Sequence, residues 1–384
     1  MTSAEILRDL IAFPTISVDP NRALIDHCAD LLTEAGAEVQ IIEDETGKKA
    51  NLYATIGPRG RAGVLLSGHT DVVPVAGQNW TRPAFEMTEA AGKLYGRGTT
   101  DMKGFIACAI AAFQSAKRRA LQTPLHLALS YDEELGCLGV HSLIDMLAAA
   151  PFVPLFCIVG EPTNLAVASG HKGKTALRVT CTGRESHSAL APTALNAIHL
   201  AVEMVAVIRA EQGAIAASGT RDTDYDVAYT TLHVGKIEGG VALNIVPNTC
   251  TLAFEIRNLV TDDPHEILER IYAKAEAILA PLRGDFPEAD IAFEITNTYP
   301  PLGTPESAEV VGFVKSLTGA NGTIKVAFGT EGGLFHAKLG VPTVVCGPGS
   351  MEQGHKPDEF ISRDQMDKCD AMLAELLTRL QEGL

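Results

Sequence analysis

One pattern that occurs three times constrains the fold most: an apolar run rich in Val, Leu and Ile stops at a charged residue. The runs are VLLSGH, which ends at His69, LHLALSYDEE, which ends at Glu133 and Glu134, and LFCIVGE, which ends at Glu161. Short apolar runs of this kind are typical of strands that are buried on both faces. In an open α/β sheet, ligands bind beyond the carboxyl ends of the strands. We therefore expect these charged side chains to meet at one edge of a sheet.

The order of the predicted elements indicates two domains. Up to about residue 172, strands alternate with helical patterns, which predicts an α/β fold with a mostly parallel sheet flanked by helices. Residues 173–297 follow the order β-α-β-β-α-β, which is the ferredoxin-like unit. Residues 298–384 return to the α/β pattern. The sequence thus predicts a catalytic domain, 1–172 plus 298–384, that is interrupted by an inserted domain, 173–297.

Composition argues against several other classes of protein. The net charge of −16 opposes nucleic-acid binding, and no apolar stretch approaches the ~20 residues that span a bilayer. We therefore expect neither nucleic acid nor a membrane as a partner. The N-terminal segment predicts an amphipathic helix with Ser3 as a candidate N-cap. This segment lacks the basic region and apolar run of a signal peptide, and the eight cysteines form no CxxC pair. Both features predict a cytoplasmic protein with reduced, buried thiols.

The adjacent carboxylates of Glu133 and Glu134 indicate metal chemistry. Two neighbouring carboxylates at the end of a buried strand are electrostatically costly unless cations are present. In the metal interpretation, one glutamate is a ligand and the other takes a proton from water, which suits hydrolysis. The alternative is a solvated acidic loop. No nucleophile elbow, phosphate loop or complete dinucleotide fingerprint supports a rival mechanism.

Three further residues complete the candidate site. Asp71 lies two residues after His69, at a spacing that suits a hydrogen bond to the histidine ring. Asp101 follows a Gly-rich turn and precedes a long helix, which is compatible with an N-cap, a metal ligand or both. His355 lies in a Gly-rich loop after the last apolar run. Two histidines and several carboxylates at one edge are a suitable ligand set for a pair of divalent ions.

The motifs HTDVVP, GRGTTDMKG, DEE, GEPT and GHKPDEF, in this order, resemble the dinuclear-zinc aminoacylase and exopeptidase family over essentially the whole chain. The resemblance implies two divalent metal ions per chain, Zn²⁺ or alternatively Co²⁺ or Mn²⁺. It assigns His69 and Glu161 to one ion and Glu134 and His355 to the other. Asp101 would bridge the two ions.

The same resemblance implies roles for five other residues. Glu133 would be the general base, and Asp71 would orient the first metal-binding histidine. His187, in GRESHSALAP, would reach the active site of a partner subunit and stabilise the oxyanion. Asn244 and Arg257 would hold the substrate and its carboxylate. The inserted domain would thus act as a dimerisation and lid domain of a homodimer. The alternatives are a polar loop residue for His187 and a sheet-surface charge for Arg257.

Four segments point to one branch of the family. SGHKGKTA, ESHSALAPTALNAI, FGTEGGLF and VCGPGSMEQGHKPDEF resemble the acetylornithine deacetylases. This resemblance implies a small-molecule N-acyl amino acid as substrate, with release of acetate from N2-acetyl-L-ornithine in arginine biosynthesis. The alternatives are a related N-acyl-amino-acid deacylase, a succinyl-diaminopimelate desuccinylase and, from another class, a non-catalytic binding module.

Overall fold

A computed structural model describes residues 1–384. Helices and strands alternate along most of the chain. The helices are α1 (Ser3–Ile11), α2 (Arg22–Glu34), α3 (Gly104–Ala116), α4 (Val140–Ala149), α5 (Ala197–Ser218), α6 (Pro264–Leu279), α7 (Glu309–Thr318), α8 (Gly332–Leu339) and α9 (Arg363–Glu382). The strands are β1 (Glu38–Glu43), β2 (Ala50–Ile56), β3 (Val64–His69), β4 (Thr88–Ala90), β5 (Lys93–Tyr95), β6 (Leu125–Ser130), β7 (Phe156–Pro162), β8 (Ala168–His171), β9 (Lys174–Thr182), β10 (Ser186–His187), β11 (Thr231–Gly239), β12 (Ile245–Val246), β13 (Thr249–Arg257), β14 (Asp290–Tyr299), β15 (Leu302–Gly303), β16 (Ile324–Val326), β17 (Thr343–Gly347) and β18 (Phe360–Ser362).

The first compact unit comprises residues 1–171, 302–326 and 330–384. Its main sheet has the order β1-β2-β6-β3-β7-β17-β8-β15, and β16 pairs with β8. The four central strands, β6, β3, β7 and β17, are parallel neighbours, whereas antiparallel strands flank them. The predicted α/β fold with a mostly parallel central sheet is confirmed. We call this part the catalytic unit.

The second compact unit comprises residues 172–301 and 327–329. Its sheet has the order β11-β13-β9-β14 with every pair antiparallel, and α5 and α6 complete the expected β-α-β-β-α-β order. Residues alternate between buried and accessible along β9 and β13, because one sheet face packs against the two helices. This inserted unit therefore has its own core and one open sheet face.

Helix α3 packs tightly against the centre of the main sheet. An added Cβ at Gly160 would lie 2.0 Å from the ring of Phe105, and one at Gly68 would lie 3.1 Å from Cγ1 of Ile106. Both glycines directly precede candidate ligands, Glu161 and His69. The absence of side chains at these two positions lets the helix approach the strands where those ligands begin.

Two local predictions about helix caps are wrong. Ser3 was a candidate N-cap of the first helix, but Thr2 caps α1, with Glu5 completing a capping box. The Ser3 hydroxyl instead donates to Asp370, which only the folded chain brings near. Asp101 does not cap α3, because an irregular helical turn, Thr99–Lys103, precedes that helix. The N-cap interpretation of Asp101 is therefore excluded.

All eight cysteines are buried and unpaired. Six of them lie in the catalytic unit, and Cys181 and Cys250 lie in the inserted unit.

None of the helices combines the length and the apolar character that crossing a bilayer requires.

Candidate metal centre

The candidate site forms where the four central parallel strands end. His69 is the last residue of β3, Glu161 lies near the end of β7, and Glu133 and Glu134 follow β6. His355 lies in the loop after β17. Because these strands are neighbours in the sheet, their carboxyl ends bring the side chains to one edge.

His69 presents one ring nitrogen to the carboxylates and uses the other for a hydrogen bond. Nδ1 lies 2.9 Å from the main-chain carbonyl of Asp71 and must donate, since a carbonyl only accepts. The Asp71 carboxylate lies further away, 3.5 Å from Nδ1. Nε2 lies 3.0 Å from Asp101 and 3.6 Å from Glu161. Nε2 thus faces both carboxylates, and once it has lost its proton it could bind a metal ion that they share.

Asp101 stands between the two histidines. Its Oδ1 faces His69 Nε2, and its Oδ2 lies 3.1 Å from Nε2 of His355. The same nitrogen of His355 lies 3.1 Å from the Glu134 carboxylate. Each oxygen of Asp101 therefore belongs to a different half of the cluster, which is the arrangement that a bridging carboxylate requires.

The Asp71 carboxylate positions the main chain of the two adjacent glutamates. It accepts hydrogen bonds from the backbone N–H of Glu133 at 3.0 Å and of Glu134 at 3.2 Å. The hydroxyl of Ser17 donates to the same carboxylate at 2.6 Å. Asp71 therefore links the strand end of His69 to the segment that carries Glu133 and Glu134.

The buried carboxyl groups of the site have too few positive charges nearby to offset their burial, and this shifts their pKa values. Burial, followed by repulsion from Glu134, Glu331 and Asp71, raises the pKa of Glu133 to about 8. Burial and the charge of Asp101 raise the pKa of Glu161 well above its ordinary value. Burial also opposes ionisation of Asp101, but hydrogen bonds from both histidines outweigh it and lower the pKa of that carboxyl. Such a cluster favours the uptake of cations.

The donor atoms suit divalent ions. Two overlapping groups, His69 with Glu133 and Glu161, and His69 with Asp101 and Glu134, each bring their ligand atoms within 4.8 Å of one another. Mixed imidazole and carboxylate donors are typical ligands of Zn²⁺ and are compatible with Co²⁺ or Mn²⁺. The residues present therefore fit the predicted metal centre.

Sequence reasoning missed several buried charged residues around the site. Arg97 and Glu359 form an ion pair at 2.6 Å, and Glu359 also accepts hydrogen bonds from the backbone of Thr100 and Asp101. Glu331 is buried and accepts a hydrogen bond from Ser67, two residues before His69. Arg97, Glu359 and Glu331 lie within the quoted motifs GRGTTDMKG, GHKPDEF and FGTEGGLF, and this is the only signal that could have marked them.

The other three predicted site residues belong to the inserted unit. β10 pairs with β12, and this ladder places His187 opposite Ile245, beside Asn244. The exposed His187 ring accepts a hydrogen bond from the N–H of Ala189. Arg257 lies at the end of β13, where it donates to Tyr299 at 2.7 Å and to Glu255 at 3.0 Å. His187 and Asn244 are thus close to each other, and Arg257 lies on a different part of the same unit.

A buried carboxylate and histidine cluster at the carboxyl edge of a mixed α/β sheet defines a metal-dependent hydrolase, here an amide hydrolase. The chain belongs to the peptidase family M20/M25/M40, which it matches over residues 65–379. The fold and the family were both predicted correctly from the sequence.

Curated relatives and solved structures agree with this assignment. The chain is 35% identical over 383 residues to the acetylornithine deacetylase of Myxococcus xanthus, covering 98% of this chain and 97% of the relative. It is 34% identical to that of Pasteurella multocida (strain Pm70), covering 97% of each. The fold matches an M20 family metallo-carboxypeptidase from Sulfolobus solfataricus with a TM-score of 0.77 at 18% identity, covering 99% of both chains.

Proposed function

We propose that this protein releases acetate from N2-acetyl-L-ornithine to give L-ornithine, a step of arginine biosynthesis. The observation that carries the proposal is the 33–35% identity to acetylornithine deacetylases over at least 97% of this chain. The metal centre supports the reaction class, because amide hydrolysis needs an activated water and a polarised carbonyl.

We assign the metal ligands by the two halves of the cluster. His69 and Glu161 would hold one ion, Glu134 and His355 would hold the other, and Asp101 would contact both. Support comes from Asp101, each oxygen of which faces a different histidine. Two divalent ions, Zn²⁺ or alternatively Co²⁺ or Mn²⁺, would supply Lewis-acid polarisation of the amide carbonyl and lower the pKa of the attacking water.

Glu133 is the proposed proton carrier. Its carboxylate can accept a proton from the attacking water, and the burial that raises its pKa favours holding that proton until it is passed on. The same carboxyl can then donate that proton to the leaving amine nitrogen. The hydrogen bond that the Glu133 backbone N–H donates to the Asp71 carboxylate keeps Glu133 at the strand end where this transfer would take place.

The inserted unit supplies the proposed substrate contacts. Arg257 offers a guanidinium to the α-carboxylate, Asn244 offers an amide to the substrate, and His187 stabilises the oxyanion from a partner subunit. A homodimer through the inserted unit is therefore part of the proposal. Eight buried cysteines without a disulfide support a reducing compartment, and we propose that the protein is cytoplasmic.

A substrate panel tests the proposed activity. Protein loaded with a defined metal should hydrolyse N2-acetyl-L-ornithine with a kcat/KM about 10²-fold or more above that for N-succinyl-L,L-diaminopimelate. The physical reason is that the succinyl carboxylate requires its own cationic partner. A preference for the succinyl compound would instead indicate a desuccinylase, and the proposed metal chemistry would still apply. No hydrolysis of any N-acyl amino acid by the metal-loaded protein would favour a binding module.

A paired comparison tests the role of Arg257. The wild-type protein should prefer N2-acetyl-L-ornithine to N-acetyl-1,4-diaminobutane, which lacks the α-carboxylate, and Arg257→Met should lose most of that preference. Arg178→Met is the matched control, since Arg178 is an exposed arginine of the same sheet that pairs with Glu294. An undiminished preference in Arg257→Met would remove this residue from the substrate site.

A further inference from the structure

The loop that carries His355 has little secondary structure to fix it. His355 lies between the end of β17 at Gly347 and the start of β18 at Phe360, and its φ is +61°. Its side chain is 45% exposed, whereas that of Asp101 is 5% exposed. A ligand on an exposed loop must be positioned by other contacts if it is to bind a metal ion with a defined geometry.

Gln78 and Arg97 provide such contacts. Gln78 donates through Nε2 to the main-chain carbonyl of His355 at 2.8 Å. Its Oε1 accepts a hydrogen bond from Arg97 at 2.5 Å and a second from Trp80 at 3.0 Å. Arg97 also lies 3.4 Å from the carbonyl of Lys356, the next residue along the loop. The amide of Gln78 is therefore oriented on one side by Arg97 and holds His355 on the other.

Glu359 extends the same contacts to Asp101. Its Oε2 pairs with Arg97 at 2.6 Å, and both side chains are only 1% exposed. Its Oε1 accepts hydrogen bonds from the backbone N–H of Thr100 at 3.0 Å and of Asp101 at 3.2 Å. The Arg97 guanidinium thus links the main chain of Asp101, through Glu359, to the main chain of His355, through Gln78.

We propose that Gln78, Arg97 and Glu359, which we call the bracket, set the distance between Asp101 and His355 and so determine the affinity of the half-site formed by Asp101, Glu134 and His355. The bracket residues are positioning residues and provide no metal ligand. The inference rests on the proposed two-ion site. The contacts of the bracket with the main chain of His355 and Lys356 give one half of that site a control that the other half, built on β3 and β7, shares only through Asp101.

The geometry of the bracket requires an arginine. The Arg97 guanidinium points its two terminal nitrogens at two acceptors: Nη1 donates to Glu359 and Nη2 donates to Gln78. A lysine ammonium is a point charge on a flexible stem and cannot hold two acceptors in one plane. Isolated buried ion pairs contribute little net stability, so the fold alone does not explain this pair.

Metal titration of the metal-free protein tests the proposal. Co²⁺ is added to the wild-type protein, Gln78→Met, Arg97→Lys and His355→Ala, and binding is followed by calorimetry and by the visible absorption of the bound ion. The Co²⁺-binding step that is weakened or lost in His355→Ala is the step that belongs to the half-site of His355. The matched control is Arg363→Met, because Arg363 forms an exposed ion pair with Glu89 and likewise joins the segment before residue 97 to the one after residue 359.

Gln78→Met should weaken the His355 step by about 10- to 100-fold and leave the other step unchanged, as expected when a partner of a ligand is lost. Arg97→Lys should weaken the His355 step at least as much and the other step less, because its effect on the other step passes only through the shared Asp101. Excess Co²⁺ should restore kcat, and the thermal midpoint of metal-free Gln78→Met should match that of the wild type. Arg363→Met should keep both steps.

Two results would overturn the inference: unchanged binding in both bracket variants, or equal weakening of both steps together with a lowered midpoint of the metal-free protein. Failure of the wild-type protein to bind two ions would instead refute the proposed two-ion site, and the bracket with it.

Discussion

Oδ2 of Asp101 lies 3.1 Å from Nε2 of His355. The two residues belong to different stretches of the catalytic unit, since the chain leaves that unit after residue 171 and returns to it at residue 302. The candidate metal centre is therefore completed only when the stretches on both sides of the insertion fold together. A fragment that ends before residue 302 would carry His69, Asp101 and Glu161 but would lack the second histidine.

Glu133 and Glu134 provide a matched pair of substitutions. Glu133→Gln keeps the shape of the side chain but cannot accept a proton, so kcat should fall by about 10²–10⁴-fold while two ions remain bound. Glu134→Gln should instead reduce the metal content, because it removes an anionic ligand beside His355. Elemental analysis and kcat on the same samples check both. If Glu133→Gln lost metal and Glu134→Gln did not, Glu133 would be the metal ligand and Glu134 the general base.

Metal binding should release protons. Hydrogen bonds with Asp101 and Glu134 raise the pKa of His355 to about 10 in the metal-free protein, so its ring is protonated at pH 7. A ligating imidazole must be unprotonated, and metal affinity should therefore rise with pH, by up to about tenfold per pH unit for each proton released. Calorimetry in two buffers with different ionisation enthalpies measures this release. A binding heat that is the same in both buffers would contradict the prediction.

Mixing inactive subunits should restore activity if His187 acts on the partner's site. Glu133→Gln and His187→Ala proteins are each expected to be inactive. A hybrid dimer has one site with an intact Glu133 and an intact His187 from the partner. With random exchange, half of the dimers are hybrids with one working site of two, so activity should reach about a quarter of the wild type.

The control for the mixing experiment uses two substitutions in the same metal centre. Glu133→Gln mixed with Glu134→Gln should recover nothing, because no hybrid contains a complete centre in one subunit. Recovery only in the first mixture supports action between subunits. Subunit exchange that is verified by mass spectrometry but gives no activity in the first mixture would contradict action of His187 on the partner's site.

The close approach of α3 to the sheet predicts a large effect of a small substitution. In Gly160→Ala, the new Cβ would lie 2.0 Å from the Phe105 ring, and the resulting overpacking should lower the free energy of unfolding by about 1–3 kcal/mol. Gly312→Ala is the control in helix α7, where nothing lies within 4 Å, and it should be neutral or stabilising by about 0.5–1 kcal/mol. Urea denaturation of both variants measures the difference.

The sequence was informative where burial leaves a visible pattern. The apolar runs before His69 and Glu161 identified the strands, and the rule for parallel sheets then brought their ends together. The order of predicted strands and helices in residues 173–297 likewise revealed the ferredoxin-like inserted unit. These features are local in the chain, so one sequence is sufficient to detect them.

The contacts that hold the site were not predictable in the same way. Arg97 and Glu359 lie in irregular segments, and a charged residue in a loop is ordinarily expected to be solvated. Their burial depends on a partner from a distant part of the chain, for which no periodicity gives a signal. The contact of Ser3 with Asp370 shows the same limitation, because it joins distant parts of the chain, whereas the Thr2 cap with Glu5 follows a local capping-box pattern.

The burial of all eight cysteines makes the thiols natural probes of conformational opening. A thiol-specific reagent can label a buried cysteine only during a transient opening, so the labelling rate measures the population of the open state. Cys181 and Cys250 would monitor the inserted unit, and the other six would monitor the catalytic unit. Peptide mapping after labelling could then rank the opening of the two units in one sample without adding an artificial label.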